Sequence, residues 1–371
     1  MSESQPPAPT PQPVPVLAAK PSASSWKYTL GLIVALVAVA GGVYAYITYT
    51  TPIPTPVDEL SSLKTYIEKL GNAQKLAEGY TDADADLVAD APTNPAAFLK
   101  VDEIGFTAVG TDVPETAQVR WKDLMASLAQ TTGKNVKYVA DVGTFDDQLK
   151  ALREGRLHVT ACSTGQVPTA VNTAGLVPLF CIADKDGKYA YEMEILVRAD
   201  SRANSAADLK GKKIGLTSLS SNSGGKAPLV LLKEKFGLLP GRDYKYTFTG
   251  DHIRSVRELV ASNTDRFDAV CVANDQLAGA YGDQLLKPEQ VKSIFKSESF
   301  PPLCFGVPHN LPPDLAAKIR QTFASFSFVG NSVGEYYKAQ GKTKFAPVDY
   351  KKDWKLIREV DDSLTRLLDG K

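Results

Sequence analysis

From about residue 101 the chain alternates short apolar runs with amphipathic stretches of helical period. EIGFTAVG, NVKYVADV and LHVTACS read as strands, and AQVRWKDLMASLAQTTG and FDDQLKALREG as the helices between them. The alternation resumes with the strand YEMEILVRADS, the helix SAADLKG and the strand KKIGLTS, then a serine-rich loop and its helix. YKYTFTG, the helix IRSVRELVAS and the strand FDAVCVAN follow. Strands alternating with helices predict an α/β fold on parallel sheets covered on both faces. After SESFPPLCFGVP two or three helices close the chain, so helices outnumber strands there. The pattern predicts two α/β lobes, the last segment returning to pack on the first.

The N-terminal hundred residues follow another pattern. Residues 1–25 are rich in proline, serine and alanine, a composition that cannot bury a core and predicts disorder. TLGLIVALVAVAGGVYAYI, residues 29–47, carries no charge and is long enough to cross a bilayer as a helix. Trp26 and Tyr28 on one side, and Tyr44, Tyr46 and Tyr49 on the other, suit the two interfaces. Lys20 and Lys27 before the span and Asp58 and Glu59 after it favour a cytoplasmic N-terminus. A cleaved signal peptide is the alternative, with Ala38-Val39-Ala40 as the cleavage site. The long leader and the apolar run beyond Ala40 favour an uncleaved anchor. Residues 1–28 are therefore expected as a cytoplasmic tail, 29–48 as a transmembrane anchor in the lipid bilayer, and 49–371 outside.

Beyond a stiff TPIPTP exit, Leu60, Leu63, Ile67 and Leu70 recur at helical spacing, which predicts a short stalk helix. An acidic linker follows, and residues 49–100 are read together as stalk and linker. Within it Asp82, Asp84, Asp86 and Asp90 match the first, third, fifth and ninth positions of a calcium loop. Leu87 stands where glycine is usual, and no glutamate follows at the twelfth position, so a solvated acidic linker is the favoured reading and a calcium site the alternative.

Charge and rare residues exclude several function classes. The 371 residues hold 42 basic and 42 acidic side chains, a balance that argues against nucleic-acid binding. Cys162, Cys181, Cys271 and Cys304 are widely spaced, without a C-x-x-C pair, and each lies in or beside an apolar run. Buried free thiols are expected rather than a zinc site, with the pairing of any disulfide left open. No G-x-S-x-G elbow is present, and Ser220 and Ala227 occupy positions that a P-loop gives to glycine and a hydroxyl residue. Of three histidines, His158 falls inside an apolar strand and His309 in a proline-rich turn. No nucleophile–base pair emerges, so an enzyme is not expected.

Two loops remain. SSNSGGKAP, residues 220–228, places serines, an asparagine and glycines at a helix start, where free N–H groups and the helix dipole attract an anion. Taken alone, an ordinary serine-rich N-cap is the simpler reading. His252, in TGDHIRSV, opens the next helix. Consecutive strand–helix crossings bring both starts to one carboxyl edge, where open α/β sheets bind ligands. A histidine there can donate to an oxyanion, and a positive charge near neutral pH adds attraction.

These segments together resemble the periplasmic phosphonate-, phosphite- and phosphate-binding components of ABC transporters. The resemblance rests on Tyr191 in its strand, RADSRANSAADLKGKKIG, Ser221-Asn222-Ser223-Gly224 with Pro228, and Gly250-Asp251-His252. SESFPPLCFGVP and FAPVDYKKDWKLIREV extend it, so that it covers roughly residues 102–365. It implies a two-lobed type II periplasmic-binding-protein fold with two hinge crossings. Residues 101–197 and 304–371 would form lobe 1 and residues 198–303 lobe 2. It also implies an oxyanion held by Ser221, Asn222, Ser223, Gly224, His252 and Tyr191, a permease as partner, and no cofactor beyond the calcium considered above. A tethered sensor or interaction module on the same fold is the alternative function. The sequence departs from the family's pattern in two places. Asn222 stands where threonine is common, and a first-lobe aromatic hydroxyl falls near Phe145. Asp268, Asp275 and Glu298 are the candidates for an amine-binding carboxylate.

Overall fold

The computed structural model describes residues 59–70, 75–108, 114–261, 266–282 and 284–367. The expected tail and the span at 29–47 lie outside the described residues. Among the described residues no helix is long and apolar enough to cross a membrane.

Helix α1 (Glu59–Leu70) comes first. Next are β1 (Ile104–Ala108), α2 (Pro114–Thr132), β2 (Val136–Tyr138), α3 (Phe145–Arg153), β3 (Val159–Cys162), α4 (Val167–Ala174) and β4 (Leu176–Ala183). The chain then crosses to β5 (Tyr191–Arg198), β6 (Lys213–Leu216), α5 (Ala227–Phe236), β7 (Lys245–Phe248), α6 (His252–Val260), β8 (Ala269–Ala273), α7 (Asn274–Gly282) and β9 (Val291–Phe300). It returns with β10 (Cys304–Pro308), α8 (Pro313–Ser325), α9 (Ser332–Tyr337), β11 (Lys344–Pro347), α10 (Tyr350–Asp353) and α11 (Lys355–Thr365).

The strands form two sheets, in the orders β11-β4-β10-β3-β1-β2 and β7-β6-β8-β5-β9. Both are mixed, unlike the parallel sheets that the alternation predicts. β1 runs parallel to β2 and β3, but β10 is antiparallel to β3 and β4, and β11 to β4. In the second sheet β6 is parallel to β7 and β8, while β5 is antiparallel to β8 and β9. Strands that enter through a crossing arrive in reverse, and an apolar run carries no record of its direction. The crossings lie between Ala183 and Tyr191 and between Phe300 and Cys304. β5 therefore belongs to the second sheet, although residues through 197 were assigned to lobe 1 on resemblance.

The first sheet is covered by α2 and α8 around interlocking rings. Trp121 meets Phe305 at 5.1 Å, and Phe323 meets Phe345 at 4.8 Å, at centroid distances typical of favourable edge-to-face pairs. Cys304 pairs in register with Cys162 on one side and Cys181 on the other, and all four cysteines are buried free thiols. α1 does not project as a stalk. Its Leu63 is fully buried and shares one apolar cluster with Ile357, Val360 and Leu364 of α11, because the leucine stripe finds a partner surface on its own chain. The acidic linker is docked as well. Ala77 N–H donates to Asn172 O, Leu99 N–H donates to Asn310 O, and Tyr80 packs edge-on against His309.

Candidate functional site

The serine loop connects β6 to α5. Ser221 is extended, and its Oγ accepts from Gly224 N at 3.1 Å; Asn222–Lys226 then form a π-helical turn that runs into α5, with Pro228 in the first turn. The glycines are there for close approach. A Cβ on Gly224 would lie 1.9 Å from Thr217 Oγ1, and one on Gly225 would lie 2.0 Å from Ser218 O. No other residue lets the turn close against the end of β6.

Around this turn lies a cavity of about 370 Å³. Ser221, Asn222, Ser223, His252 and Tyr191 all line it, so five of the six expected residues are brought together. Gly224 is not among them. Its N–H is already given to Ser221 Oγ, which makes it a support for the loop rather than a ligand donor. Asn222 and Ser223 are each only 2% exposed, and Asn222 Oδ1 and Thr217 Oγ1 are buried without a hydrogen-bond partner. Buried polar atoms are rarely left so, and orphans at a cavity wall suit a polar occupant.

Tyr191 opens β5 and its hydroxyl accepts from Asn222 Nδ2 at 3.4 Å. Burial pushes the phenol up, against the hydrogen-bonding influence of Thr164, Asn222 and Ser223, so it stays a neutral donor. His252 follows the N-cap Asp251, whose Oδ1 accepts from Arg254 N at 2.8 Å. The imidazole Nδ1 accepts from Ala273 N at 3.2 Å, leaving Nε2–H as the free donor. Burial pulls its pKa down to about 4. The expected positive charge at neutral pH is thus corrected: packed into the cavity wall, His252 is a neutral donor.

Both His252 and the core residue His158 are drawn from 6.5 to about 4 by burial. The unfolded chain binds protons near 6.5 that the folded chain refuses, so this stabilisation is complete above that value and lost as pH falls toward 4. Melting temperature is expected to fall over that window, and His158→Gln to flatten the fall. An unchanged slope in the variant would refute the assignment. His158 itself accepts from Gly105 N at 2.8 Å, and His309 pairs through Nδ1 with Asp90 O at 2.9 Å; both are structural.

Several lining residues were missed in the sequence. Ser163, Thr164 and Gln166 follow β3 on the opposite wall, and Trp121, Tyr336 and Tyr337 supply aromatic surface from α2 and α9. The signal for the first three was present: LHVTACS leads into a helix start at STGQVP, as the serine loop does after β6. Phe145 does not line the cavity; it opens α3 beneath a Thr144–Asp147 capping box and packs into the core. Of the three carboxylate candidates only Asp275 reaches the cavity, and burial holds its carboxyl above the usual range. Asp268 accepts from Lys213 N on the surface, and Glu298 lies on the exposed β9.

In the acidic loop the carboxylates of Asp82, Asp84 and Asp86 come within 4.8 Å of one another. Asp82 accepts from Asp86 N and Leu87 N, and Leu87 takes a φ of 68° at the position where glycine is usual. Asp90 instead turns its Oδ2 to Ala83 N and is not part of the cluster.

Two mixed α/β lobes joined by two crossings, with a cleft of polar side chains between them, have the architecture of a periplasmic solute-binding protein. A family model described as "ABC transporter, phosphonate, periplasmic substrate-binding protein" matches residues 106–354, and the chain belongs to that family. The family consists of substrate-binding components, not enzymes. The chain is 24% identical over 245 residues to the phosphate-import protein PhnD of Mycolicibacterium smegmatis, a match covering 64% of this chain and 75% of that protein. It shares its fold with the binding-protein component of a phosphonate ABC transporter from Pseudomonas aeruginosa, at a TM-score of 0.59 and 19% identity over 71% of this chain and 87% of that one. PhnD1 of Prochlorococcus marinus, solved with methylphosphonate, matches at a TM-score of 0.60 and 14% identity over 71% and 99%. α1, the acidic loop and α11 all lie outside the family match.

Proposed function

We propose that the chain captures a phosphorus oxyanion (phosphonate, phosphite or phosphate) and delivers it to an ABC transporter from a membrane anchor at residues 29–47. The observation that supports this is the convergence on one cavity of Ser221, Asn222 and Ser223 from the serine loop, His252 from the start of α6 and Tyr191 from β5, all neutral. Hydroxyls and N–H groups offer an anion charge-assisted hydrogen bonds, and the basic side chains of Arg120 and Lys342 line the same cavity. A relative named for phosphate import and a fold relative holding methylphosphonate support the same ligand class. A cavity of about 370 Å³ is in the range that organic ligands fill, which favours a substituted phosphonate over a bare ion. Native mass spectrometry of the purified full chain is expected to show a co-purifying phosphorus anion. A bound amino acid or carboxylate in its place would overturn the reading.

For the anchor, external protease on intact spheroplasts is expected to digest the large domain and leave a small membrane-bound fragment. A soluble mature protein starting near Gly41 would establish a cleaved signal instead. For the acidic loop we propose a calcium ion held by Asp82, Asp84 and Asp86, favoured by their clustering. The loop lacks the bidentate glutamate of the strong sites, so affinity should be near the weak end, roughly 10⁻⁴–10⁻³ M. Calorimetric titration of the full chain is expected to show heat that Asp84→Asn removes; no heat at millimolar calcium leaves the carboxylates as backbone caps.

A further inference from the structure

Lys226 ends the π-helical turn of the serine loop, and its side chain points away from solvent entirely, at 0% exposure. The ammonium lies 2.5 Å from Asp361 Oδ1 on α11 and 2.6 Å from the carbonyl oxygen of Gly165. Lys226 N–H also donates to Ser221 O at 3.0 Å, so wherever the lysine goes the first ligand-facing serine goes too. Gly165, in the turn after β3, abuts the same loop. A Cβ there would lie 2.7 Å from Ser220 O and 2.9 Å from both Asn222 N and Lys226 Cε. Next to it Thr164 O accepts from Trp354 Nε1 at 3.1 Å, and Thr164 Oγ1 donates to Pro301 O at 2.6 Å in the return crossing. The serine loop of one lobe, the β3–α4 turn of the other and the C-terminal helix thus meet at one buried ion pair. Behind it α1 closes the arrangement: Tyr66 is pushed far up by burial and by the nearby Asp361 carboxylate.

We propose that Lys226 and Asp361 are a positioning pair that fixes the anion loop against the opposite lobe, supplied in part by α11, which lies beyond the family match. The proposal rests on the reading of that loop as the anion site. The lysine contributes no contact to the ligand. It holds Ser221 and Asn222 in register with the Gly165 carbonyl, and Asp361 directs the ammonium there. A merely structural ion pair has a different signature. Replacing both partners with apolar residues of similar volume commonly restores stability, since no buried charge is left unpaired. It does not restore the bond from Lys226 to Gly165 O.

The test uses the full chain in detergent, as wild type, Lys226→Met, Asp361→Leu and the double variant. Melting temperature and calorimetric affinity are measured for phosphate, phosphite, methylphosphonate and 2-aminoethylphosphonate. Both single variants are expected to melt lower and bind more weakly. The double variant is expected to regain most of the melting temperature yet bind the best anion at least tenfold more weakly than wild type. Wild-type affinity in the double variant would overturn the proposal. Should the double variant fail to fold, Gly165→Ala supplies the second arm, because it keeps both charges while its Cβ forces the turn and the serine loop apart at Ser220, Asn222 and Lys226. It is expected to lose at least tenfold in affinity, and unchanged affinity there overturns the proposal as well. A wild type that binds none of the four anions overturns the ligand reading itself, and the positioning role with it.

Discussion

Asp361→Leu is expected to lower folding stability by about 3–5 kcal/mol, the usual cost of removing one partner from a buried ion pair. Lys226 and Asp361 are 0% and 1% exposed, so neither charge has water to fall back on. With Asp361 gone, the ammonium keeps one neutral acceptor, Gly165 O, which cannot offset its desolvation. In a chain of this size that loss corresponds to a drop in melting temperature of roughly 4–8 °C. Lys355 and Glu359 provide the contrast on the same helix, an i,i+4 pair whose side chains are 70% and 50% exposed. Glu359→Ala should shift stability by no more than about 0.5 kcal/mol, because solvent screens the exposed pair. Urea unfolding of the two variants checks both. A loss below about 1 kcal/mol in Asp361→Leu would mean that the interior tolerates the lone charge, contrary to what the burial implies.

The same pair marks the limit of what the sequence shows. Strands and helices from residue 104 onward were legible because their apolar runs are short, bounded and separated by amphipathic helices. The serine loop and His252 were legible as consecutive helix starts, and the fold places both at one edge of the second sheet. Lys226 was visible only as the lysine of a loop whose Ser220 and Ala227 break the P-loop pattern. Its partner lies 135 residues away, and nothing local distinguishes Asp361 from the neighbouring Asp362. Contacts of that range are set by how helices dock, not by spacing along the chain. Strand direction was hidden for a related reason, since β5 and β10 owe theirs to the crossings. The charge of His252 was misjudged because burial is a tertiary property: the same residue at an exposed helix start would titrate near its ordinary 6.5. α1 carried a stripe that fits a stalk or a docked helix equally well, and only the groove on α11 decides between them.

Ser223→Ala and His252→Ala are each expected to weaken anion binding by about tenfold to a hundredfold. Ser223 offers a hydroxyl from a position 2% exposed, and His252 offers Nε2–H because Ala273 N occupies its Nδ1. A hydrogen bond to a charged ligand contributes roughly 1.5–3 kcal/mol. At about 1.4 kcal/mol per decade that gives the range stated. The two variants should differ in the unliganded protein. Ser223→Ala removes a group that faces the cavity, so the melting temperature without ligand should stay close to wild type. His252→Ala also takes away the acceptor of Ala273 N, and a small destabilisation, on the order of 1 kcal/mol, should accompany the loss of affinity. Calorimetry with phosphate, phosphite, methylphosphonate and 2-aminoethylphosphonate on wild type and both variants measures the effect. If both variants bind the best ligand as tightly as wild type, the serine loop is a helix cap alone and the anion sits elsewhere. If only His252→Ala binds weakly, the loop contributes through its backbone N–H groups, and the hydroxyl of Ser223 does not touch the ligand.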